Sequence, residues 1–193
     1  MILYHGSSVD NITILEPRSI LHGSQNEKVV YLSGSIPYAL VYIWDSQKTK
    51  CSRKHVTCAL KNGVVYYEEL FPDQLRAFYE GVSGYLYCID STDNIQHMPK
   101  THEEMYYSLK AVQVKKVVFV SDVYRELLRY EKEGLFKVDK FNDASKETQA
   151  ERIEKTAKGI EMCNWYDTDT EKTHFMKHYF KQAWELAESR RIK

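Results

Sequence analysis

Hydrophobic periodicity changes once along this chain of 193 residues, near Phe141, and that change constrains the fold more than any other feature. Before it, apolar residues come in short β-type runs: Met1 to Tyr4, Val29 to Leu32, Val56 to Leu60, Val64 to Tyr67, Tyr85 to Ile89, Met105 to Tyr107 and Val112 to Val120. After it, charges dominate. Phe175, Met176, Tyr179, Phe180, Ala183, Trp184 and Ala187 then recur at helical spacing. Turn residues punctuate the first zone. Asn62-Gly63 between two β-type runs is a hairpin signal. Pro37 suits the first turn of a helix that Ala39, Leu40, Ile43 and Trp44 continue. Phe71 to Tyr79 reads as a short helix. Ser121-Asp122 caps a helix over Val123 to Glu133 that ends at Gly134, and Phe136 to Phe141 reads as a last strand. The valine-rich run Val112 to Val120 is expected to be one long central strand. Lys146 to Glu161 reads as a solvated helix, and Thr168-Asp169-Thr170-Glu171 as a capping box before the apolar stripe. The class expected is α+β: short, mostly antiparallel strands with inserted helices over residues 1–141, then a charged helical extension over residues 142–193 packed on them.

Charge narrows the partners. Lys plus Arg total 27 and Asp plus Glu total 27, so the net charge is zero, which disfavours a general nucleic-acid coat but leaves room for a local basic patch. The N-terminus lacks a basic, apolar leader, and no stretch reaches a membrane span. Cys51, Cys58, Cys88 and Cys163 form no C-x-x-C pair, so reduced thiols in the cytoplasm are expected. Tyrosine is over-used, with 15 Tyr against 7 Phe and 3 Trp, and a flat ring with a polar tip suits a binding cleft.

Three short motifs carry chemistry. Tyr4-His5-Gly6-Ser7 puts an imidazole at the end of a strand, beside a glycine that lets another group approach the main chain. Val30-Tyr31-Leu32-Ser33 sets a tyrosine mid-strand, with Tyr42 eleven residues later on the following helix, and the two rings would form a slot for a flat group. Thr101-His102-Glu103-Glu104-Met105-Tyr106-Tyr107 leads two carboxylates into a strand. No G-x-G-x-x-G follows a strand, which disfavours a Rossmann dehydrogenase. His174 and His178 stand at i and i+4 without the remaining pattern of a zinc protease, so no metal is expected. His55 and Cys58 fall on opposite faces of a strand, which disfavours a Cys–His nucleophile.

In this order the three motifs resemble the His-Tyr-Glu triad of the ADP-ribosyltransferase superfamily, of the diphtheria-toxin and poly(ADP-ribose) polymerase type, over residues 1–141. The resemblance implies two packed, mostly antiparallel sheets and a transferase, in the glycosyltransferase class, that moves ADP-ribose from NAD to an acceptor and releases nicotinamide. NAD is then substrate, not redox cofactor. Glu104, or Glu103 as the alternative, would hold the ribose hydroxyl beside the breaking bond as positive charge develops. His5 would position the adenosine ribose. Tyr31 and Tyr42 would stack on nicotinamide, Gly6 would meet its carboxamide through the backbone, and Ser7 would assist at the ribose. Where the polymerase branch places a serine eight residues after the tyrosine, this chain has Ala39. The alternative function is a catalytically inactive NAD-binding or protein-interaction module that keeps the fold. The acceptor, whether protein, nucleic acid or small molecule, is not specified by the sequence.

Overall fold

The structure, a computed structural model, describes residues 1–98 and 104–191. The strands are β1 (Ile2–Ser7), β2 (Ile14–Leu15), β3 (Ser19–Ile20), β4 (Lys28–Ser33), β5 (Thr57–Lys61), β6 (Val64–Glu68), β7 (Gly84–Asp90), β8 (Ile95–His97), β9 (Met105–Ser108), β10 (Val112–Gln113), β11 (Lys116–Val120) and β12 (Phe136–Asp139). The helices are α1 (Ile36–Leu40), α2 (Ser46–Thr49), α3 (Gln74–Tyr79), α4 (Val123–Lys132), α5 (Lys146–Met162), α6 (Glu171–Tyr179) and α7 (Lys181–Arg191), with a single 3-10 turn at Trp165–Asp167. The class is α+β, with a helical C-terminal region. The strands are distributed over three sheets: a seven-stranded sheet of order β11-β7-β1-β4-β9-β8 with β3 added on β4, a β10-β2 pair, and a β12-β6-β5 sheet. Two compact units divide the chain. The first holds Met1–Trp44, Ala59–Tyr66 and Tyr79–Lys137, and the second holds Asp45–Cys58, Tyr67–Phe78 and Val138–Lys193.

In the first unit, β1 pairs antiparallel with β7 along its whole length, from Ile2 opposite Asp90 to Ser7 opposite Tyr85. The strand therefore runs on through His5, Gly6 and Ser7, beyond the apolar run that ends at Tyr4. Period-two alternation then sorts its residues. Leu3, Val30, Leu32, Tyr87 and Ile89 form a buried cluster that Leu15 and Val112 complete. The register places Tyr4, Ser33 and Met105 side by side on the other face, and Tyr31 beside Tyr107. Helix α1 lies against that second face. Ser35 caps it, its side chain accepting from the Tyr38 N–H, and Pro37 occupies its first turn.

The valine-rich run is not one central strand. The Val114 N–H bonds the Thr13 carbonyl at 2.9 Å, whereas the Lys115 N–H bonds the Cys88 carbonyl at 2.9 Å. The chain changes partner between those two residues, so β10 joins β2 and β11 joins β7. Strand β11 closes one end of the large sheet, with Val117 43%, Val118 38% and Phe119 60% exposed. Valine content could not separate an edge from a centre, because β-branched residues favour any pleated surface. The hairpin signal, in contrast, is met directly: Asn62 and Gly63 both take positive φ, 52° and 73°, as a tight two-residue turn between β5 and β6 requires.

The second unit is built on rings and one buried ion group. Phe78 stacks on Phe175 at 5.6 Å between centroids, Phe71 meets Phe180 at 5.1 Å, and His55 stands edge-on to Phe180 at 5.0 Å. The apolar stripe expected along one helix is broken at Phe180 (φ −105°, ψ 48°), which separates α6 from α7. Phe175, Met176, Phe180, Ala183, Trp184 and Ala187 are nonetheless all buried. Thr170, not Thr168, caps α6: its hydroxyl accepts from the Thr173 N–H, and the Thr168 hydroxyl turns back to the Trp165 carbonyl. Arg152 is buried on α5. It donates to the Glu69 carbonyl at 3.0 Å, meets the Asp139 carboxylate, and lies 3.3 Å from the Glu68 carboxylate. Glu69, also buried, accepts from the Leu75 and Phe141 N–H groups. Among the described residues no helix is long and apolar enough to cross a membrane.

Candidate functional site

The site begins as a parting of two strands. Among the described residues β1 pairs with β4 at one register position, Tyr4 opposite Ser33, while its far edge stays bonded to β7. Beyond Tyr4 the two strands separate, and the imidazole of His5 occupies the gap. Its Nδ1 lies 2.9 Å from the Tyr31 carbonyl. A carbonyl only accepts, so Nδ1 carries the proton and donates it. Burial holds the His5 pKa below its usual value, against the smaller opposing effect of that bond. The ring is thus neutral at neutral pH, and its Nε2 is an acceptor for a hydroxyl.

A small cleft of about 80 Å³ opens here, lined by His5, Gly6, Tyr31, Ser33, Tyr38 and Tyr42, with Tyr4, Ser19, Leu32, Ala39 and Met105 completing its wall. Four of the proposed site residues, His5, Gly6, Tyr31 and Tyr42, are therefore brought to one place. Tyr42 is not on the helix: α1 ends at Leu40, and Tyr42 sits in the following turn with its N–H on the Ala39 carbonyl at 3.0 Å. That turn leaves its ring 39% exposed at the mouth of the cleft. Tyr38 lies beneath, its ring centroid 5.4 Å from that of Tyr42 and the two hydroxyls 3.2 Å apart. The Tyr31 hydroxyl is tied down at both lone pair and proton: it accepts from the His22 N–H at 2.7 Å and donates to the Ile20 carbonyl at 3.0 Å.

Gly6 has a reason beyond ligand approach. A Cβ there would lie 2.0 Å from the Ala39 carbonyl oxygen, so the absence of a side chain lets α1 close on β1 and sets the depth of the cleft. Ser7 does not line the cleft; its hydroxyl accepts from the Val9 N–H at 3.1 Å.

Glu104 immediately precedes β9, at φ 53°, a left-handed conformation uncommon for glutamate. Its carbonyl accepts from the Gly34 N–H at 2.8 Å and from the Ser33 hydroxyl at 3.3 Å. A Cβ on Gly34 would approach the Glu104 Cβ to 3.3 Å. Ser33 and Gly34, at the end of the strand that carries Tyr31, thus hold Glu104 in place. Its side chain is exposed, and the cleft wall is reached by its neighbour Met105 and not by Glu104 itself. Glu103 lies outside the described residues.

Sequence reading did not find Tyr38, Ser19 or Met105. Tyr38 stands four residues before Tyr42, a spacing that puts both on one side of a helical turn. Met105 follows from the β4–β9 register, which no local pattern displays. Ser19 arrives through the pairing of β3 with β4. Elsewhere, His174 is bonded to Asp169 at 2.6 Å, and His55 packs against Trp165, Phe175 and Phe180. Among the described residues no group of three His, Cys, Asp or Glu is placed to hold a metal ion. No protein-family model, curated protein or solved structure matches the chain.

Proposed function

We propose that the chain transfers ADP-ribose from NAD to an acceptor. The observation that carries this reading is the meeting of His5, Gly6, Tyr31 and Tyr42 in one cleft, with Glu104 fixed beside it by Ser33 and Gly34. Nicotinamide would lie between tyrosine rings, where stacking contributes about 0.5–1.5 kcal/mol beyond burial. His5 Nε2 would accept from a ribose hydroxyl. The bond between nicotinamide and ribose breaks, nicotinamide leaves with the bonding electron pair, and an acceptor O–H or N–H forms the new bond and gives up its proton. A carboxylate at the start of β9 would bind the neighbouring ribose hydroxyl more strongly as positive charge grows. Reaching it requires a rotation of the Glu104 side chain from its exposed position.

That exposed position also favours a second reading, an NAD-binding module without transfer activity. Ala39 in the cleft wall points the same way. Incubation with NAD labelled in nicotinamide separates the two. The transferase reading expects release by the native chain and a loss of at least a hundredfold in Glu104→Gln. Release that survives Glu104→Gln and disappears in Glu103→Gln moves the role to Glu103. NAD binding without release supports the inactive module, and absence of both overturns the cleft as an NAD site.

A further inference from the structure

The large sheet of the first unit carries a groove of about 750 Å³, walled by Ile36 and Leu40 of α1 and by Tyr130 of α4. Strand register lays out its floor. Tyr4 of β1 stands opposite Cys88 of β7, and Cys88 opposite Lys116 of β11, so the three form one row across three strands. Residues two positions on share that face. There the groove is lined by Leu86 and Val118, and then by Val120. The floor thus runs from a polar row to an apolar end over about 13 Å.

The polar row offers donors. Among the described residues the Tyr4 hydroxyl makes no hydrogen bond and Lys116 joins no ion pair. Burial, reinforced by the Cys88 and Tyr130 groups, raises the Tyr4 pKa, and burial raises that of Cys88 against the opposing Lys116 charge. Both keep their protons at neutral pH. The other charges of the lining are already engaged: Lys115 with Asp90 at 2.6 Å, Glu126 with Arg129 at 3.0 Å, and Arg129 with Glu133 as well. One cation and one hydroxyl therefore remain, at the head of an apolar trough.

These features select a ligand together. The volume is that of a small-molecule site. An apolar floor disfavours a sugar or a nucleotide, whose polar groups would lose water there without replacement. One unengaged cation balances one negative charge, and two donors, Lys116 Nζ and Tyr4 Oη, match the two oxygens of a carboxylate. The linear run of Leu86, Val118 and Val120 suits an unbranched chain behind that head.

We infer that this groove binds a single-chain fatty carboxylate, its head accepting from Lys116 and Tyr4 and its chain lying along Leu86, Val118 and Val120. The inference concerns binding alone and stands whether or not the chain transfers ADP-ribose.

Calorimetric titration of the full chain with dodecanoate, kept below its micelle concentration, tests it. Saturable one-to-one binding is expected. Lys116→Gln should weaken it about tenfold through loss of a charged hydrogen bond. Val118→Glu, which sets a charge under the chain, should weaken it at least as much. Lys115→Gln removes the same charge from the neighbouring, engaged lysine and should leave affinity within about twofold. Dodecanol, without the charge, and octanoate, with a shorter chain, should each bind at least about tenfold more weakly than dodecanoate. Circular dichroism of each variant checks that it folds. No saturable binding of dodecanoate by the native chain overturns the inference, as do equal losses in Lys115→Gln and Lys116→Gln or unaltered affinity in Val118→Glu. Dodecanol or dodecyl phosphate binding more tightly than dodecanoate, or binding to phosphatidylglycerol vesicles with none to dodecanoate, overturns the assignment to a fatty carboxylate.

Discussion

The two units use aromatic rings in opposite ways. In the first, tyrosines surround the cleft and are held by their polar tips: Tyr31 by two backbone groups, Tyr38 and Tyr42 by each other. A ring fixed by its hydroxyl can leave a face open. In the second, Phe71, Phe78, Phe175 and Phe180 have no polar tip and hold one another, Phe78 stacked on Phe175 and Phe71 edge-on to Phe78 and Phe180, with His55 among them. Rings used on both sides build a core and offer no slot. On the proposed reading, the cleft tyrosines of the first unit serve a ligand and the phenylalanines of the second serve stability.

Four substitutions or conditions press on that contrast. The largest effect belongs to the second unit. Arg152→Ala removes a buried side chain and leaves the Glu69 carbonyl and the partly exposed Glu68 and Asp139 carboxylates without their donor, and it is expected to cost about 2–5 kcal/mol in denaturant unfolding. A loss below about 1 kcal/mol would show that the rings alone hold this unit.

Acid is next. Burial, reinforced by the nearby Lys172 charge, lowers the His55 pKa to about 4. The unfolded chain protonates first as pH falls through the ordinary value of 6.5. Stability attributable to His55 is therefore unchanged above about pH 6.5, declines between that and pH 4, and falls by about 3 kcal/mol in total at 1.36 kcal/mol per unit. Thermal melts over this range should show the decline, and His55→Leu should flatten it.

In the first unit, Gly6→Ala forces a methyl against the Ala39 carbonyl, so β1 and α1 must part, at a cost of about 1–3 kcal/mol. The comparison requires that this variant lose NAD affinity more than stability; a stable variant with unaltered NAD affinity would break the link between Gly6 and the cleft. The smallest effect is at the edge strand. Phe119→Lys replaces a ring that is 60% exposed, and a shift within about 0.5 kcal/mol is expected.

Much of this was legible in the residues because it was local. Asn62-Gly63 dictates its turn, Asp122 caps α4 by accepting from the Arg125 N–H, and Gly134 ends that segment at φ 77°. The burial of the Phe175-to-Ala187 stripe followed from its spacing. What failed was non-local. The partner change at Val114 and Lys115 is set by Thr13, 101 residues before Val114, and by Cys88, 27 residues before Lys115, and no valine count contains it. Strand β1 runs past its apolar segment because β7 lies beside it. At the site, His5, Gly6, Tyr31 and Tyr42 were readable as short motifs, while Met105 and Ser19 enter through register and Tyr38 was passed over at a visible spacing. Ser7 was adjacent in sequence to the right residues but turns to Val9 instead.

The central claim is that the Tyr31–Tyr42 cleft is the nicotinamide slot. Calorimetric titration of the native chain with a non-hydrolysable NAD analogue, beside Tyr42→Ala, tests it most directly. The account predicts saturable binding by the native chain and a loss of about tenfold in the variant, the equivalent of about 1.4 kcal/mol. Equal affinity in the two proteins, or no binding by the native chain, would contradict it.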